Sequence, residues 1–425
     1  MGGLIFAAPS SGSGKTTVTL GFLRAATRMG ATIHSAKSGP DYIDPRFHEA
    51  ASGAPCVNLD AWAMTPDRLH ALAAGHGDLI VEGAMGLFDG APPAGRGATA
   101  DLARHLSLPV VLVVDCAKMA GSVAPLVAGF AAYDPSVKVA GVILNNVGSP
   151  RHEAMLRHAL SFEDIAILGI VPRDATLAHP SRHLGLVQAS ERADLETYLD
   201  RAADVMGASL DMEALLALAA SAQSIAATSA ARIPPPAQRI AIARDQAFAF
   251  AYPHVLDDWR AAGAELTFFS PLADEGPQEA DFIFLPGGYP ELHAGQIAGA
   301  STFMQKMKKA AENTDIYGEC GGYMVMGQSI TDASGTAHQM LGLLDLATSF
   351  QRRKLHLGYR HLLGNHGPLA GRWAGHEFHY ATTLHARGAP LFRATDAEGT
   401  VLPDMGLCKG CACGSFAHLI DRVLP

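Results

Sequence analysis

Gly3-Leu4-Ile5-Phe6-Ala7-Ala8-Pro9-Ser10-Ser11-Gly12-Ser13-Gly14-Lys15-Thr16-Thr17 is the stretch from which the fold of this chain is read. A short, unbroken apolar run gives way to a glycine-serine turn, and a helical pattern follows over Val18–Met29. An apolar run without polar alternation indicates a strand buried on both faces, hence a parallel α/β sheet. A glycine-rich turn between such a strand and a helix aims several backbone N–H groups and the positive end of the helix dipole at an anion. Gly12, Ser13, Gly14, Lys15, Thr16 and Thr17 are therefore read as a phosphate cradle for ATP, with Lys15 reaching the terminal phosphates and the Thr16 hydroxyl offered to Mg²⁺. The strict form of the motif has glycine where this chain has Pro9.

Working outward, further apolar runs at Leu79–Val81, Val110–Val114 and Val139–Leu144 alternate with helix-like stretches, and Ile165–Val171 is placed to close the sheet. Between 221 and 238 the composition turns to Ala, Ser and Pro and ends in Ile233-Pro-Pro-Pro236, a stiff linker by composition. A second strand series follows at Arg239–Ala243, Glu265–Phe269, Asp281–Leu285 and Asp315–Gly318. The expected organisation is two α/β domains, 1–220 and 239–425, joined by 221–238.

Composition narrows the function classes. The chain has 425 residues, 48% hydrophobic and 17% charged, which suits an enzyme rich in buried sheet. A net charge of -9 without a basic stripe argues against nucleic acid as a partner. No apolar run approaches the roughly 20 residues that span a bilayer. The chain opens directly into its first strand, so no secretory signal is expected and the location is read as cytoplasmic. Its six cysteines are accordingly read as reduced thiols.

Mg²⁺ takes oxygen ligands. Glu82 ends the run Asp78-Leu-Ile-Val-Glu82 at the strand edge where α/β folds bind ligands, and an unpaired carboxylate there would be costly. Asp41 and Asp44 lie in Gly39-Pro-Asp-Tyr-Ile-Asp-Pro45, where each also suits a turn. Thr16, Asp44 and Glu82 are the expected metal ligands. Asn145 and Asn146 follow a strand, and an amide there suits either an adenine edge or a turn. In the second half, Cys320 follows a strand and precedes Gly321-Gly322, the sharp strand-to-helix turn that presents a nucleophile at a helix start, where the dipole favours the thiolate. Such a cysteine needs a base and an oxyanion hole. His418 in Gly414-Ser-Phe-Ala-His418 supplies the first, and bare N–H groups near Gly287 and Gly288 the second. Cys408-x-x-Cys411-x-Cys413 lacks a fourth ligand at zinc or cluster spacing. In His376-Glu377-Phe378-His379 the histidines are three apart rather than four, so no metal is assigned there.

Taken together, these motifs resemble the cobyrinic acid a,c-diamide synthases of corrin biosynthesis over nearly the whole chain. The resemblance rests on Ser11–Thr17, Lys37–Pro45, Val81–Gly90, Pro180–Leu186, Leu285–Glu291, Glu319–Gly322, Gly375–Tyr380 and Gly414–His418. It implies a P-loop ATPase-type N-terminal domain similar to dethiobiotin synthetase and a C-terminal domain like the class I glutamine amidotransferases, in the branch shared with cobyric acid synthase. It further implies glutamine hydrolysis at Cys320 with His418 as base. ATP–Mg²⁺ would activate a corrinoid carboxylate as an acyl phosphate, and ammonia would amidate the c and a acetates in turn. Asp41, Asp44, Glu82 and Asp89 match acidic family positions at the ATP, magnesium and substrate site. Tyr42 belongs to the same motif, and Arg182 and His183 are assigned to macrocycle carboxylates, arginine suiting bidentate recognition.

Amidotransferases of the wider class place Glu two residues after the histidine; here Ile420 stands there, so a Cys–His dyad is implied and Asp421 is the nearest following acid. Ser10 stands where the dimerising, signature-lysine ATPases carry a second lysine, against a MinD-like partner role. Alternative readings are cobyric acid synthase, another tetrapyrrole amidase, or a regulatory ATPase with an inactive amidotransferase domain. Hydrogenobyrinic acid is favoured over cobyrinic acid as the substrate. The oligomeric state is left open, a homodimer among the options.

Overall fold

The computed structural model describes residues 2–177, 181–182, 185–186, 188–225 and 228–423. The chain forms two compact units, Met1–Ala231 and Arg232–Pro425.

In the first unit seven parallel strands form one sheet: β1 (Gly3–Ala7), β2 (Ile33–Ser38), β3 (Cys56–Leu59), β4 (Asp78–Glu82), β5 (Val110–Asp115), β6 (Val139–Val147) and β7 (Ala166–Pro172). Their order is β3-β2-β4-β1-β5-β6-β7, so the Ile165–Val171 run does lie at the sheet edge. β1 and β5 are buried along almost their whole length, as their unbroken apolar runs require. Helix α1 (Lys15–Arg28) follows the first turn and buries Leu20, Phe22 and Leu23 against the sheet; the Phe22 ring meets Phe6 edge-on at 5.2 Å. Each such side chain contributes about 1.5–3 kcal/mol by leaving water. What positions the site is the adjacency of β2, β4 and β1. Lys37 and Phe6 both stand in register with Glu82, one on either side of it.

The second unit has a mixed six-stranded sheet in the order Glu265–Phe269, Arg239–Ala243, Phe282–Leu285, Asp315–Glu319, Ala412–Ser415, Leu407–Lys409, all parallel except the last. An antiparallel sheet is added by Phe392–Asp396, His356–Gly364, Gly371–His379 and Ala417–Arg422. Ile233, from the proline-rich stretch, is 2% exposed and packs into this unit's core, its N–H donating to Asp258 at 2.9 Å. The end of the compositional linker is thus built into the second unit.

Cys408 and Cys413 stand directly opposite in the antiparallel pairing of the last two strands and are joined by a disulfide. The reduced-thiol expectation fails for this pair because the hairpin register, which spacing alone does not reveal, brings the two side chains together. Cys56, Cys116, Cys320 and Cys411 are free. Among the described residues no helix is long and apolar enough to cross a membrane.

Candidate functional site

Gly14 caps α1 with φ 87°, a left-handed conformation. A Cβ there would lie 2.2 Å from the Asn145 amide nitrogen, which donates to the Ser13 carbonyl at 2.9 Å. Glycine is required on both counts. Gly12 also has positive φ, and the Ser13 hydroxyl donates to the Ser10 carbonyl at 2.9 Å. Lys15 Nζ rests on the Met85 carbonyl at 2.5 Å, and burial lowers its pKa to about 8. The Thr17 hydroxyl faces the Tyr198 hydroxyl at 3.4 Å. Asn146 sits at φ 58° and donates to Asp115 at 2.9 Å, so the amide that holds the loop is Asn145.

Glu82 is the hub. It is fully buried at the end of β4 and accepts from the Thr16 hydroxyl at 2.6 Å and from Lys37 Nζ at 2.8 Å, while its other oxygen meets His48 Nε2 at 2.7 Å. Lys37 also donates to Asp44 at 2.6 Å. Burial alone would raise the Glu82 pKa, but Lys37 and His48 outweigh it and hold the group below the usual carboxylate range. Lys37 stays charged, since Asp44 and Glu82 overcome the burial that opposes it. Burial, then Asp41, push Asp44 up to about 7. The structure therefore gathers the three expected metal ligands, and adds Lys37 and His48, which the sequence reading left without a role. Lys37 lay inside a quoted motif at a strand end; that was its signal. Asp41 accepts the N–H groups of Ile43 and Asp44 at 2.7 and 3.1 Å, and Asp89 accepts that of Gly86 at 3.0 Å, so both brace turns beside the cradle. Tyr42 is half-buried in the same turn. Arg182 lies in a two-residue strand paired with Gly185–Leu186, its side chain outside the described set; His183 lies outside the described residues altogether.

In the second unit, Cys320 joins the strand Asp315–Glu319 to the helix Gly321–Met326 with φ 45° and ψ -102°. A non-glycine residue there is strained, as nucleophile elbows are. A Cβ on Gly287 would lie 2.9 Å from His418 Nε2, 2.3 Å from its Cε1 and 3.3 Å from the Cys320 Cβ, so cysteine and histidine converge on this glycine. The Gly287 carbonyl accepts from Phe250 at 2.9 Å, which fixes the loop.

Two expectations are corrected here. An acid stands beside the dyad: Glu319 Oε2 lies 3.4 Å from His418 Nδ1, and its other oxygen accepts the Leu419 N–H at 3.0 Å. Asp421 instead accepts the Arg422 N–H at 2.8 Å. The thiol is also not lowered. Burial, then the charge of Glu291, push Cys320 above its ordinary range, and the Gly321 N–H offsets them only in part.

His376-Glu377-Phe378-His379 lies on a strand, where alternation sends its residues to opposite faces. Glu377 is taken by Arg360, at 2.7 and 3.0 Å, and by His379 at 3.0 Å. His376 pairs in register with His418, and burial, then His418, lower its pKa to about 3, so it is neutral.

Residues 4–187 match the CobQ/CobB/MinD/ParA nucleotide binding domain family, and 239–422 match the CobB/CobQ-like glutamine amidotransferase domain family. The chain is 55% identical over 435 residues to the hydrogenobyrinate a,c-diamide synthase of Brucella abortus, covering 99% of each chain. It is 53% identical to that of Rhizobium meliloti, again over 99% of each, and 51% identical to that of Rhodobacter capsulatus over 98% of each.

Proposed function

We propose a two-site amidation for this chain, which belongs to the hydrogenobyrinate a,c-diamide synthase family and is a glutamine-dependent, amide-forming ligase. The substrate that fits is hydrogenobyrinic acid, amidated on its a and c acetates. The convergence of Cys320 and His418 on Gly287 is the observation that carries the reading.

At the second unit, His418 takes the Cys320 proton as the sulfur attacks the glutamine side-chain amide. Ammonia leaves with that proton, and water then frees glutamate from the thioester. Gly287 and Gly288 offer N–H groups to the oxyanion, and Glu319 holds the imidazole with its Nδ1 toward the carboxylate. A thiol raised by burial makes this transfer necessary, since little free thiolate is present at neutral pH.

At the first unit, a corrinoid carboxylate oxygen attacks the γ-phosphorus of ATP and ADP departs. Ammonia then attacks the acyl carbon, phosphate leaves and a proton is lost. A bare carboxylate is a poor acyl donor, and phosphorylation makes its carbonyl attackable. Gly12, Ser13, Gly14, Lys15, Thr16 and Thr17 cradle the phosphates, and Lys37 lies beside them between Glu82 and Asp44. Thr16, Asp44 and Glu82 would hold Mg²⁺ through oxygen donors, with Lys37 standing between the two carboxylates, and the ion would neutralise phosphate charge. Asn146 is assigned to the nucleotide; Asp41, Tyr42, Asp89, Arg182 and His183 to the corrinoid. The cytoplasm, with its ATP and glutamine, is the fitting location.

Mass spectrometry of reactions with ATP, Mg²⁺ and glutamine, run separately on hydrogenobyrinic and cobyrinic acids, tests this. Two amidations are expected, faster on the metal-free acid. Cys320→Ser should lose the glutamine-driven reaction and keep the one driven by added ammonia. Neither acid amidated, with glutamine hydrolysis intact, would overturn the substrate assignment.

A further inference from the structure

Three carboxylates act on Cys320, in the order Glu291, Glu377, Glu319. Two of them are engaged. Glu377 is held by Arg360 and His379, and Glu319 by the Leu419 N–H and His418. Glu291 differs. Its Oε2 is buried and has no hydrogen-bond partner among the described residues, while its own backbone N–H serves the carboxyl group. It stands on the single turn Pro290–Leu292, just after Gly287-Gly288. That turn is locked against the nucleophile's helix, since a Cβ on Gly321 would meet the Pro290 ring at 2.8 Å.

A buried carboxylate oxygen without a donor costs free energy that a ligand bringing a donor recovers. If Cys320 hydrolyses glutamine, as proposed above, the side-chain amide of that amino acid lies at the sulfur. Its one cationic group is the α-ammonium. We propose that Glu291 receives the α-ammonium of L-glutamine and thereby selects the free amino acid over a bare primary amide. This rests on the amidotransferase reading and goes beyond it in naming the specificity group.

A second consequence follows from charge. Burial holds Glu291 up to about 8, partly offset by Arg353, and the Glu291 charge is the strongest of those that disfavour the Cys320 thiolate. Above about pH 8, where Glu291 carries its charge, an ammonium on it cancels that field, so the substrate itself eases ionisation of the nucleophile that attacks it.

The test uses the full chain and two amides, L-glutamine and glutaramate, which carries the same amide and carboxylate but no amino group. Wild-type protein is expected to prefer glutamine strongly in kcat/KM. In Glu291→Gln that preference should shrink by about 30-fold or more, chiefly through KM for glutamine, the scale of a lost charge-assisted hydrogen bond. Glu291→Asp, which keeps the charge, should retain more of the preference. Alkylation of Cys320 by neutral iodoacetamide without glutamine, at about pH 9 where wild-type Glu291 is ionised, should quicken in Glu291→Gln, as read by mass spectrometry.

Equal losses on both amides with unchanged alkylation would assign Glu291 a structural role and overturn the proposal. A wild-type enzyme indifferent to the amino group would overturn it without any variant. Wild-type protein that hydrolyses neither amide would sink the amidotransferase reading, and the proposal with it.

Discussion

Glu319 precedes the nucleophile by one residue, yet its carboxylate turns to His418 and the Leu419 N–H, the latter 100 positions away. An acid beside Nδ1 favours the tautomer that leaves Nε2 free to accept a proton. Glu319→Gln is therefore expected to lower kcat for glutamine hydrolysis by about 10²-fold with little change in KM, while ammonia-driven amidation stays near wild type. Glu291 gives a prediction in stability. Its carboxyl is raised in the fold to about 8, so its contribution is full below the ordinary carboxylate range and lost as pH rises through about 8. Glutamine at this position cannot ionise. The melting temperature of Glu291→Gln should gain on wild type between pH 5 and pH 9, measured by scanning calorimetry. Cys320, His418 and Glu82 were legible as single residues because each sat in a motif with a structural context. Glu319 was not: adjacency in the chain says nothing about which distant side chain a carboxylate will face, and the usual pattern pointed to the position now held by Ile420.

At the scale of elements, the phosphate loop depends on backbone that only glycine adopts freely. Gly14→Ala must accept both a left-handed φ and a collision with Asn145, a strain of about 1–3 kcal/mol that moves the loop. Loss of ATP-dependent amidation with glutamine hydrolysis preserved is the expected outcome, checked by assaying both nitrogen sources. The strands with unbroken apolar runs, β1, β4 and β5, were readable from sequence. Ile33–Ser38 was not, because Ile-His-Ser-Ala-Lys-Ser spends two of its six positions on His34 and Lys37, and no apolar period survives. His356–Gly364 and Gly371–His379 escaped for a related reason, the first being largely half-exposed and both carrying histidine and arginine that break the apolar pattern. The disulfide Cys408–Cys413 belongs to register, which a sequence fixes only through a turn that was not recognised.

At the scale of the whole molecule, the nucleotide-binding and glutamine amidotransferase family matches fall on separate compact units. Their variants should separate as well. Lys15→Ala, which removes the cation of the phosphate cradle, is expected to abolish amidation whether nitrogen comes from glutamine or from added ammonia. Glutamine hydrolysis should continue, as measured by glutamate release. The two sheets built mainly of parallel strands were foreseeable because parallel α/β folds write their strands as apolar punctuation and their sites as loops at the strand ends.

The backbone at Cys320 makes catalysis and durability opposing demands on one residue. The φ of 45° is expected to persist in side-chain variants, because Gly321 and Gly322, which follow it, are packed tightly against Pro290 and Leu285. Removing the sulfur alone, as in Cys320→Ala, leaves that torsional burden in place. Cys320→Gly relieves it, and the relief of about 1–3 kcal/mol exceeds the roughly 0.4–1 kcal/mol by which glycine loosens the unfolded chain. The glycine variant should thus melt above the alanine one, the reverse of the usual order. A lineage released from using glutamine would accordingly drift toward glycine here, so that position is where retirement of the hydrolase would first be written.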